Sequence, residues 1–531
     1  MGARFVIQST MNREDALERF HSHDGVWDLV VIGGGATGVA IAMDAAIRGL
    51  SVVLVEQSDF GKGTSSRSTK LVHGGVRYLQ QGNITLVRDA LRERTLLRAN
   101  APHLVHDLPF VIPCRSWWQR FFYGVGLKVY DFLAVGNSFG RSRNLSVSET
   151  MKSVPVLSTD RIKGGVLYHD GQFDDARLLI SMVQTGYDAG ACLLNYMRVT
   201  SLVRDEKQRI SGVAVSDAES GQQFTVRGRA VINATGPFSD AIRSLDNENQ
   251  KPMIAPSQGV HLVLPRELFP GDAAIIVPKT SDGRVIFVIP WHQHAIVGTT
   301  DTPIDQACLE PKPQAEEIEF LLATVGDYLE RPPESQDVLG YFTGVRPLVK
   351  GDKSARTASL SRDHVIRISE HGLITIAGGK WTTVRKMAED CVDKAVQLHN
   401  LTAQPCSTKN HRLRGATDEV DVTDERAVYG TDISGVQQLE RDQPILAESL
   451  STTFGITAAQ VIWAARHEMA RTVEDVLARR TRVLFLDARA AVAMAPAVAA
   501  ILADELGHDA EWCQAQVEVF EQLAQSYIPV S

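Results

Sequence analysis

The sequence predicts an α/β fold of three parts, and three observations lead to this prediction. A glycine-rich turn joins an apolar stretch of strand length to a helical pattern near the start of the chain. Short apolar runs recur in the middle of the chain, where they predict an antiparallel sheet. A polar stretch with proline and glycine lies near residue 403, ahead of a helical region. We therefore expect an N-terminal arm over residues 1–26, two interleaved lobes over 27–402 and a helical domain over 403–531.

Length, composition and charge exclude several classes of protein. A single hydrophobic core rarely exceeds roughly 250–300 residues, so a chain of 531 residues needs more than one lobe. With 44% hydrophobic and 22% charged residues, the composition is typical of globular proteins rather than of disordered or fibrous chains. The formal net charge of −8 argues against nucleic acid as the main partner.

Cysteine usage and hydropathy indicate the compartment. The six cysteines are scattered, with no CxxC pair and no Cys/His spacing of a metal site, so we expect a reducing compartment and no metal. The first 20 residues lack a signal-peptide core. The longest apolar stretch, 484–502, contains Asp487, Arg489 and Pro496, which predicts a helical hairpin rather than a membrane span. Any membrane contact is therefore expected to be peripheral.

The first predicted strand, turn and helix form a nucleotide-binding unit. Residues 27–32 read WDLVVI and lead into Gly33, Gly35 and Gly38 at the spacing G-x-G-x-x-G. Glycines at this spacing allow a tight turn, close approach of the backbone to a pyrophosphate and close helix packing. A second strand, SVVLVE, ends in Glu56, an acid placed to bind an adenosine ribose. This Rossmann-like arrangement predicts a dinucleotide cofactor, NAD or FAD.

A later strand favours FAD. The sequence AVINATGPFSDAI over residues 230–242 is again an apolar run followed by a glycine turn, but it returns only after a long interval. A sheet interrupted by inserted segments suits a flavin-binding lobe. We therefore expect FAD as the cofactor, with Ala234 and Gly236 in contact with it.

A polar segment follows the nucleotide unit and begins at Gly63 with GTSSRSTKLVHGGVRYLQQGN. Thr64, Ser65 and Ser68 are placed so that their hydroxyls can donate to phosphate oxygens. From the residues alone, a solvated loop is an equal alternative. The next stretch, ITLVRDALRERTLLRANAPHL, predicts a helix.

Four apolar runs predict the strands of the second lobe. They lie around residues 259–264, 274–277, 285–290 and 295–298. We expect them to form an antiparallel-sheet substrate lobe that covers the flavin.

Seven segments together resemble a known family: WDLVVIGGGATG, TSSRSTKLVHGGVRYL, NATGP, FVIPW, GTTD, FTGVRPL and AGGKWTTVRKMAE. They closely resemble the FAD-dependent glycerol-3-phosphate dehydrogenases of the D-amino-acid-oxidase-like flavoprotein group. The resemblance implies oxidation of sn-glycerol 3-phosphate to dihydroxyacetone phosphate by hydride transfer to FAD, with a quinone as the next electron acceptor. A glycerol-3-phosphate oxidase that uses O2 and produces H2O2 is the alternative. No EF-hand pattern is present, which implies the bacterial type.

The resemblance also implies the catalytic residues. Arg77, Arg346 and Lys380 occupy the family motifs HGGVRYL, GVRPL and GGKWTT, and their charges suit a substrate phosphate. His73 and Tyr78 flank Arg77 in sequence, and His73 is the expected proton acceptor. Arg346 is expected to stabilise the developing alkoxide. An amino-acid oxidase of the same fold and a flavin-binding protein without catalysis are alternatives that this cationic set argues against.

The segment 377–383 follows an apolar strand and opens a helix. Backbone N–H groups at a helix start would face the electron-rich edge of the isoalloxazine ring. Gly379 and Thr382 are the expected contacts.

Residues 115–132, RSWWQRFFYGVGLKVYDF, combine aromatic and basic side chains. From the residues alone, a lipid-headgroup contact and a buried core helix are equal alternatives. The resemblance favours the first and implies a cytoplasmic protein attached peripherally to the inner membrane. The oligomeric state is left open, a homodimer being one alternative. The run Arg479-Arg480-Thr481-Arg482 is either a solvated face or a contact to the flavin lobe.

Overall fold

The computed structural model describes residues 10–75, 83–134, 136, 139–278, 280, 285–350, 364–421 and 424–529. Within them the chain forms two sheets, helices packed around the sheets and a helical region at the C-terminal end. The predicted α/β class with interleaved lobes and a helical C-terminal part is confirmed. The division at residues 26 and 402 stays a prediction.

The first sheet contains eight strands, numbered in chain order over the whole molecule. They are β1 Trp27–Ile32, β2 Val52–Val55, β7 Cys192–Leu194, β8 Met197–Arg204, β9 Ile210–Asp217, β10 Gln223–Asn233, β17 His364–Ile368 and β18 Ile374–Gly378. The strands β18, β10, β1, β2 and β7 run parallel in that order. Strand β17 is antiparallel to β18, and β8 and β9 extend the sheet from β10. The central strand β1 is buried on both faces, which explains its continuous apolar sequence.

The second sheet contains ten strands. They are β3 Leu71–Val72, β4 Val105–Pro113, β5 Arg143–Leu145, β6 Gly165–Phe173, β11 Ile254–Pro265, β12 Ala274–Val277, β13 Ile286–Trp291, β14 His294–Gly298, β15 Thr302–Pro303 and β16 Gly340–Val349. The described pairs are antiparallel except β4 with β12. The four strands predicted for this lobe are therefore confirmed as β11 to β14.

The α-helices in the described ranges are α1 Arg13–His21, α2 Ala36–Ile47, α3 Ile84–Asn100, α4 Trp117–Leu133, α5 Val147–Ser153, α6 Asp175–Asp188, α7 Ser239–Asp246, α8 Ala315–Gly326, α9 Val384–His399, α10 Ile433–Asp442, α11 Ala458–Glu468, α12 Val483–Leu486, α13 Ala488–Leu506 and α14 Ala510–Ala524. The helix predicted after the polar segment is α3. The residues expected as an arm include α1, whose buried Arg13 pairs with Asp217 of β9 at 2.7 Å.

The turn between β1 and α2 depends on its glycines. A Cβ at Gly38 would overlap the carbonyl oxygen of Gly33. At Gly33, where φ is +107°, a Cβ would lie 2.9 Å from the carbonyl oxygen of Ala234. Only glycine therefore allows β1, α2 and the end of β10 to approach one another this closely.

Helix α4 carries the aromatic and basic stretch, and most of its large rings face outward. Trp118 is 78% exposed and Phe132 75% exposed, and Trp117, Phe121 and Phe122 are exposed as well. Its inner face consists of Gly124, Leu127 and Tyr130. The alternative of a buried core helix is therefore wrong for these five exposed rings.

The apolar stretch 484–502 does not form the predicted hairpin. Asp487 begins α13 because its carboxylate accepts from the backbone N–H groups of Arg489 and Ala490. Pro496 lies inside α13, and the chain reverses at Gly507, where φ is +72°, so that α14 packs back on α13. Among the described residues, none of the helices combines the length and apolar character needed to cross a bilayer.

Candidate active site

A cavity of about 1690 Å³ is lined by residues of both sheets. Most of the site residues predicted from the sequence line it: Gly33, Gly35, Glu56, Thr64, Ser65, Ser68, His73, Ala234, Gly236, Arg346, Gly379, Lys380 and Thr382. Gly38 packs against Gly33 behind the wall. Arg77 and Tyr78 lie outside the described residues. The fold thus brings one set of side chains together from segments more than 300 positions apart in the chain.

The glycine turn and Glu56 form one end of the cavity. Backbone N–H groups of Gly34 and Ser58 donate to the two carboxylate oxygens of Glu56, at 2.6 and 2.9 Å. Burial raises the pKa of Glu56 above its ordinary value, although these two hydrogen bonds favour the ionised form. The carboxylate is thus held beside the turn, where a nucleotide ribose would lie.

The polar segment after the turn uses its hydroxyls partly within the protein. The hydroxyl of Thr64 donates to the carbonyl oxygen of Val345 at 2.6 Å, and that of Ser68 donates to Asp175 at 2.7 Å. A hydroxyl has one hydrogen, so these two are not placed as phosphate donors as the sequence led us to expect. Ser65 differs, since its oxygen accepts from Ala36 N–H at 2.9 Å and its hydrogen can still donate.

Arg346 lies on β16 and enters the cavity wall with defined partners. Its guanidinium donates to the Thr299 hydroxyl at 3.1 Å, to Asp301 at 3.2 Å and to the Gln258 carbonyl oxygen at 3.3 Å. The Ser257 hydroxyl in turn donates to Asp301. A Cβ at Gly259 would meet the guanidinium nitrogens at 2.5 Å, so this glycine leaves room for the arginine.

Thr299 and Asp301 are site residues that sequence reasoning missed. Both line the cavity and hold Arg346. Their segment, GTTD, contributes to the family resemblance, and that motif was the signal that could have pointed to them.

His261 on β11 is a second missed residue. Its ring stacks on Phe342 with centroids 4.7 Å apart, and Nε2 is hydrogen-bonded to the Thr69 hydroxyl at 2.9 Å. Burial, together with the charges of Lys70 and Arg346, lowers the pKa of His261 well below its ordinary value. The imidazole that faces the cavity is therefore neutral. The sequence offered no separate signal, because one histidine in an apolar strand more often fills a core.

His73 and the segment 377–383 contact each other at the cavity wall. The backbone N–H of His73 donates to the Thr382 hydroxyl at 3.1 Å. Trp381 donates from Nε1 to the carbonyl oxygen of Ser65 at 2.9 Å. The turn 381–383 leads into α9, so the helix start lies at the cavity as predicted, with Gly379 and Lys380 on the wall.

Part of the cavity wall is apolar and aromatic. Phe110, Tyr168, Ile276 and Phe287 of the second sheet form it, together with Tyr123 of α4. The cavity therefore extends from the glycine turn to the inner side of the helix whose outer side exposes aromatic rings.

The residues present fit FAD. A Cβ at three of the glycines of the turn would collide with backbone or with Glu56. Because these residues have no side chains, a pyrophosphate can also approach the backbone closely. The turn before the N-terminus of α9 lines the same cavity, and so do the cationic side chains of Arg346 and Lys380. Such an arrangement can hold a large dinucleotide and a small anionic substrate in one cavity.

Comparison with known proteins gives consistent results for both parts of the chain. Residues 28–385 match the family model "FAD dependent oxidoreductase". Residues 374–513 match "C-terminal domain of alpha-glycerophosphate oxidase". Among curated proteins, the mitochondrial glycerol-3-phosphate dehydrogenase of Mus musculus is 43% identical over 90% of this chain and 70% of its own length. That of Arabidopsis thaliana is 39% identical over 94% of this chain and 86% of its own length.

Solved structures include two with FAD. The glycerol-3-phosphate dehydrogenase from Bacillus halodurans complexed with FAD superposes with a TM-score of 0.79 and is 30% identical, covering 97% of this chain and 98% of its own. The L-alpha-glycerophosphate oxidase from Mycoplasma pneumoniae with FAD bound has a TM-score of 0.55 and 18% identity over 73% of this chain and 98% of its own. The second likeness concerns the fold alone.

Proposed function

Because the chain belongs to the FAD-dependent glycerol-3-phosphate dehydrogenases, within the family of FAD-dependent oxidoreductases, we propose that it oxidises sn-glycerol 3-phosphate to dihydroxyacetone phosphate. The observation that carries this proposal is the position of Arg346. It is a cation held by Thr299 and Asp301 in the same cavity as the glycine turn.

The reaction requires a phosphate anchor, a hydride acceptor and a proton acceptor. Bound FAD would supply the acceptor for the hydride that leaves C2 of the substrate. Arg346 can bind two oxygens of an anion through its planar guanidinium, and Lys380 adds a second positive charge. We assign both to the substrate, together with Arg77 and Tyr78. Fixing the anion places C2 and its hydroxyl in a reproducible position, which is the main contribution of such anchors.

Two imidazoles are candidates for the proton acceptor. We keep His73 as the first, because it lies on the cavity wall beside Thr382 at the start of α9. His261 is the second, because it lines the same cavity near Arg346, although its lowered pKa makes it the weaker base. The pH dependence of flavin reduction in His73→Asn and His261→Asn variants separates them, since only loss of the true acceptor removes the ionisation from the profile.

The electron acceptor we propose is a quinone reached from a membrane surface. The exposed rings of α4, flanked by Arg115, Arg120 and Lys128, support attachment to the headgroup region of a lipid leaflet. If four rings each buried about 100 Å², at about 25 cal/mol/Å² they would contribute about 10 kcal/mol before ordering costs. The apolar part of the cavity wall, to which α4 contributes Tyr123, supports entry of an apolar acceptor there. We propose that the protein attaches to the cytoplasmic face of the membrane.

A homodimer is one possible oligomeric state, and analytical ultracentrifugation distinguishes it from a monomer.

Anaerobic reduction of the bound flavin tests the proposed function. We expect glycerol 3-phosphate to bleach the flavin absorbance, and glycine or proline to leave it unchanged. Bleaching by the amino acid and not by the phosphate would contradict the proposal. With oxygen admitted, a quinone analogue should be reduced faster than peroxide forms. The opposite order would favour the oxidase alternative.

A further inference from the structure

Three arginines near the start of the C-terminal helices are buried against the flavin lobe. Arg479 and Arg480 end a π-helical segment, Asp475–Arg480, and Arg482 follows it in the left-handed conformation with φ of 69°. Each of the three side chains is at most 2% exposed. We call Arg479, Arg480 and Arg482 the arginine run. The sequence left open whether it is a solvated face or a contact to the flavin lobe, and the structure has the contact.

The first contact is to the turn that carries Glu56. Arg480 donates to both carboxylate oxygens of Asp59, at 2.8 and 2.9 Å, and Arg479 donates to one of them at 2.5 Å. In the same turn, Gly61 N–H donates to the carbonyl oxygen of Gly34, inside the glycine turn. Asp59 thus connects the arginine run to the cofactor end of the cavity through one short loop.

The second contact is to the polar segment. Arg482 donates from Nη2 to the carbonyl oxygen of Ser66 at 2.8 Å and to Asp175 at 3.0 Å. Lys70 donates to the same two groups, each at 2.7 Å, and Ser68 donates to Asp175 from both its backbone and its hydroxyl. Residues 56–70, which we call the cofactor-side loop, are therefore held by the C-terminal region at these two points and at Lys62, which donates to Glu474 at 2.7 Å.

We propose that the arginine run positions the FAD-binding wall, by fixing the cofactor-side loop in the shape that the cofactor requires. Replacing a buried ion pair by apolar residues of similar volume is often neutral, so stability alone does not explain three buried guanidiniums, and their contacts point to a role in geometry. The planar guanidinium suits this role, because it sets the direction of each contact as well as its distance. The proposal concerns cofactor binding and rests only for its kinetic readout on the proposed function.

Arg482→Met is the first test. Asp175 keeps Lys70 and Ser68 as partners in this variant, so no carboxylate is left unpaired by the change. Arg466→Met is the control, since Arg466 lies at the surface of α11 in the same region, and its guanidinium donates to Glu505. We expect the dissociation constant for FAD, from fluorescence titration of the flavin-depleted full chain, to rise at least tenfold in Arg482→Met and to stay within twofold in the control. Equal affinity in parent, variant and control would overturn the proposal.

A kinetic readout separates positioning from loss of folded protein. The rate of flavin bleaching by glycerol 3-phosphate is measured per bound flavin in protein saturated with FAD. We expect a drop of about tenfold in Arg482→Met with KM within threefold, because Arg346 and Lys380 lie on other elements. An unchanged rate per bound flavin means that the side chain acts only on stability and would overturn the proposal. Arg482→Lys keeps a positive charge near Asp175 but cannot also donate to the carbonyl oxygens of Ser66 and Ala478, so its rate should fall between those of the parent and Arg482→Met.

Hydrogen exchange of the unmodified chain completes the test should the variant fail to fold. Coupling between two sites is reciprocal. If the contacts of the arginine run favour FAD binding, bound FAD must therefore stabilise those contacts by the same free energy and slow amide exchange in the run. We expect amides of residues 475–486 to exchange more slowly with FAD than without it. Unchanged exchange there, with slower exchange at 33–38, would overturn the proposal. Neither this measurement nor the titration uses glycerol 3-phosphate. Both therefore still test the role of the arginine run if glycerol 3-phosphate proves not to be the substrate.

Discussion

Arg346 depends on partners from a neighbouring turn for its position. Thr299 and Asp301 hold the guanidinium, and Gly259 on the paired strand leaves the space for it. Replacing Arg346 by Ala removes a charge-assisted anchor without touching the glycine turn. We expect kcat/KM for glycerol 3-phosphate to fall about 100-fold, equivalent to about 3 kcal/mol, with the absorbance of bound flavin unchanged. Arg367→Ala, at an exposed position of β17, is the control, and turnover equal to the parent in Arg346→Ala would reject the anchor.

Glu56 offers one oxygen to each of two backbone donors. In Glu56→Gln one of these positions becomes an NH2 group that faces an N–H, so the turn loses an acceptor. We expect FAD to dissociate about tenfold faster, measured by flavin retained after dialysis. Glu370→Gln, at an exposed position, should retain flavin like the parent. Equal retention in Glu56→Gln would count against the ribose role.

Single residues were predictable where a motif fixes their chemistry. The glycine spacing predicted Gly33 and Gly35 at the cavity, and the resemblance predicted Arg346 there. The direction of the hydroxyls was not predictable, because the acceptor of Thr64 lies 281 positions away and that of Ser68 lies 107 positions away. Local sequence carries no information about such partners.

The aromatic and basic stretch that forms α4 could be identified from the sequence, but which of its side chains are exposed could not. An aromatic helix with scattered charges has the same composition in a core and on a lipid-facing surface. What distinguishes the two is which neighbours cover it, and here the second sheet covers only the side with Gly124, Leu127 and Tyr130. The strands of that sheet were easier to predict, because buried strands leave continuous apolar runs.

The exposed rings of α4 give a prediction at the scale of one element. In the triple variant Trp118→Ser, Phe121→Ser and Phe132→Ser we expect loss of co-sedimentation with liposomes that contain anionic lipid. Flavin reduction by glycerol 3-phosphate should stay within twofold, since these side chains point away from the cavity. The control carries Ile445→Ser and Val519→Ser, two other exposed apolar positions. Binding that survives in the triple variant would remove the lipid role of α4.

Across the whole molecule, the ion pairs between the C-terminal region and the flavin lobe predict a dependence on pH. Burial alone would raise the pKa of Glu474, but Arg479 and Lys62, each 2.7 Å away, lower it from 4.5 to about 2. A carboxyl with a lowered pKa in the folded state stabilises the fold above pH 4.5, and this contribution is lost as the pH falls towards 2. At about 1.4 kcal/mol per pKa unit it amounts to about 3 kcal/mol.

Glu474→Gln measures this contribution. The free energy of unfolding in urea should be about 3 kcal/mol lower than in the parent at pH 6. The difference should shrink steadily between pH 4.5 and pH 2.5, because the parent carboxyl then becomes protonated and resembles the amide. A difference that stays constant with pH would show that Glu474 contributes through packing rather than charge.

The relation between the lobes was the least predictable feature. The sequence indicated a separate helical region, but it left open whether the arginine run is a solvated face or a contact to the flavin lobe. Its partners are Asp59, which lies in a turn, and Asp175, which is the first residue of α6. Pairings between charges depend on the final packing, which no local pattern encodes.

The separation between Asp59 and Arg479 is 420 residues, and this imposes an order on biosynthesis. A ribosome completes the glycine turn early, but the residues that fix the adjoining loop leave the exit tunnel only near the end of translation. A nascent chain stalled before residue 475 should therefore capture FAD poorly, although every nucleotide-facing side chain has already been made. If the arginine run positions the cofactor wall as proposed, tight binding of FAD is expected only after the arginines have been synthesised.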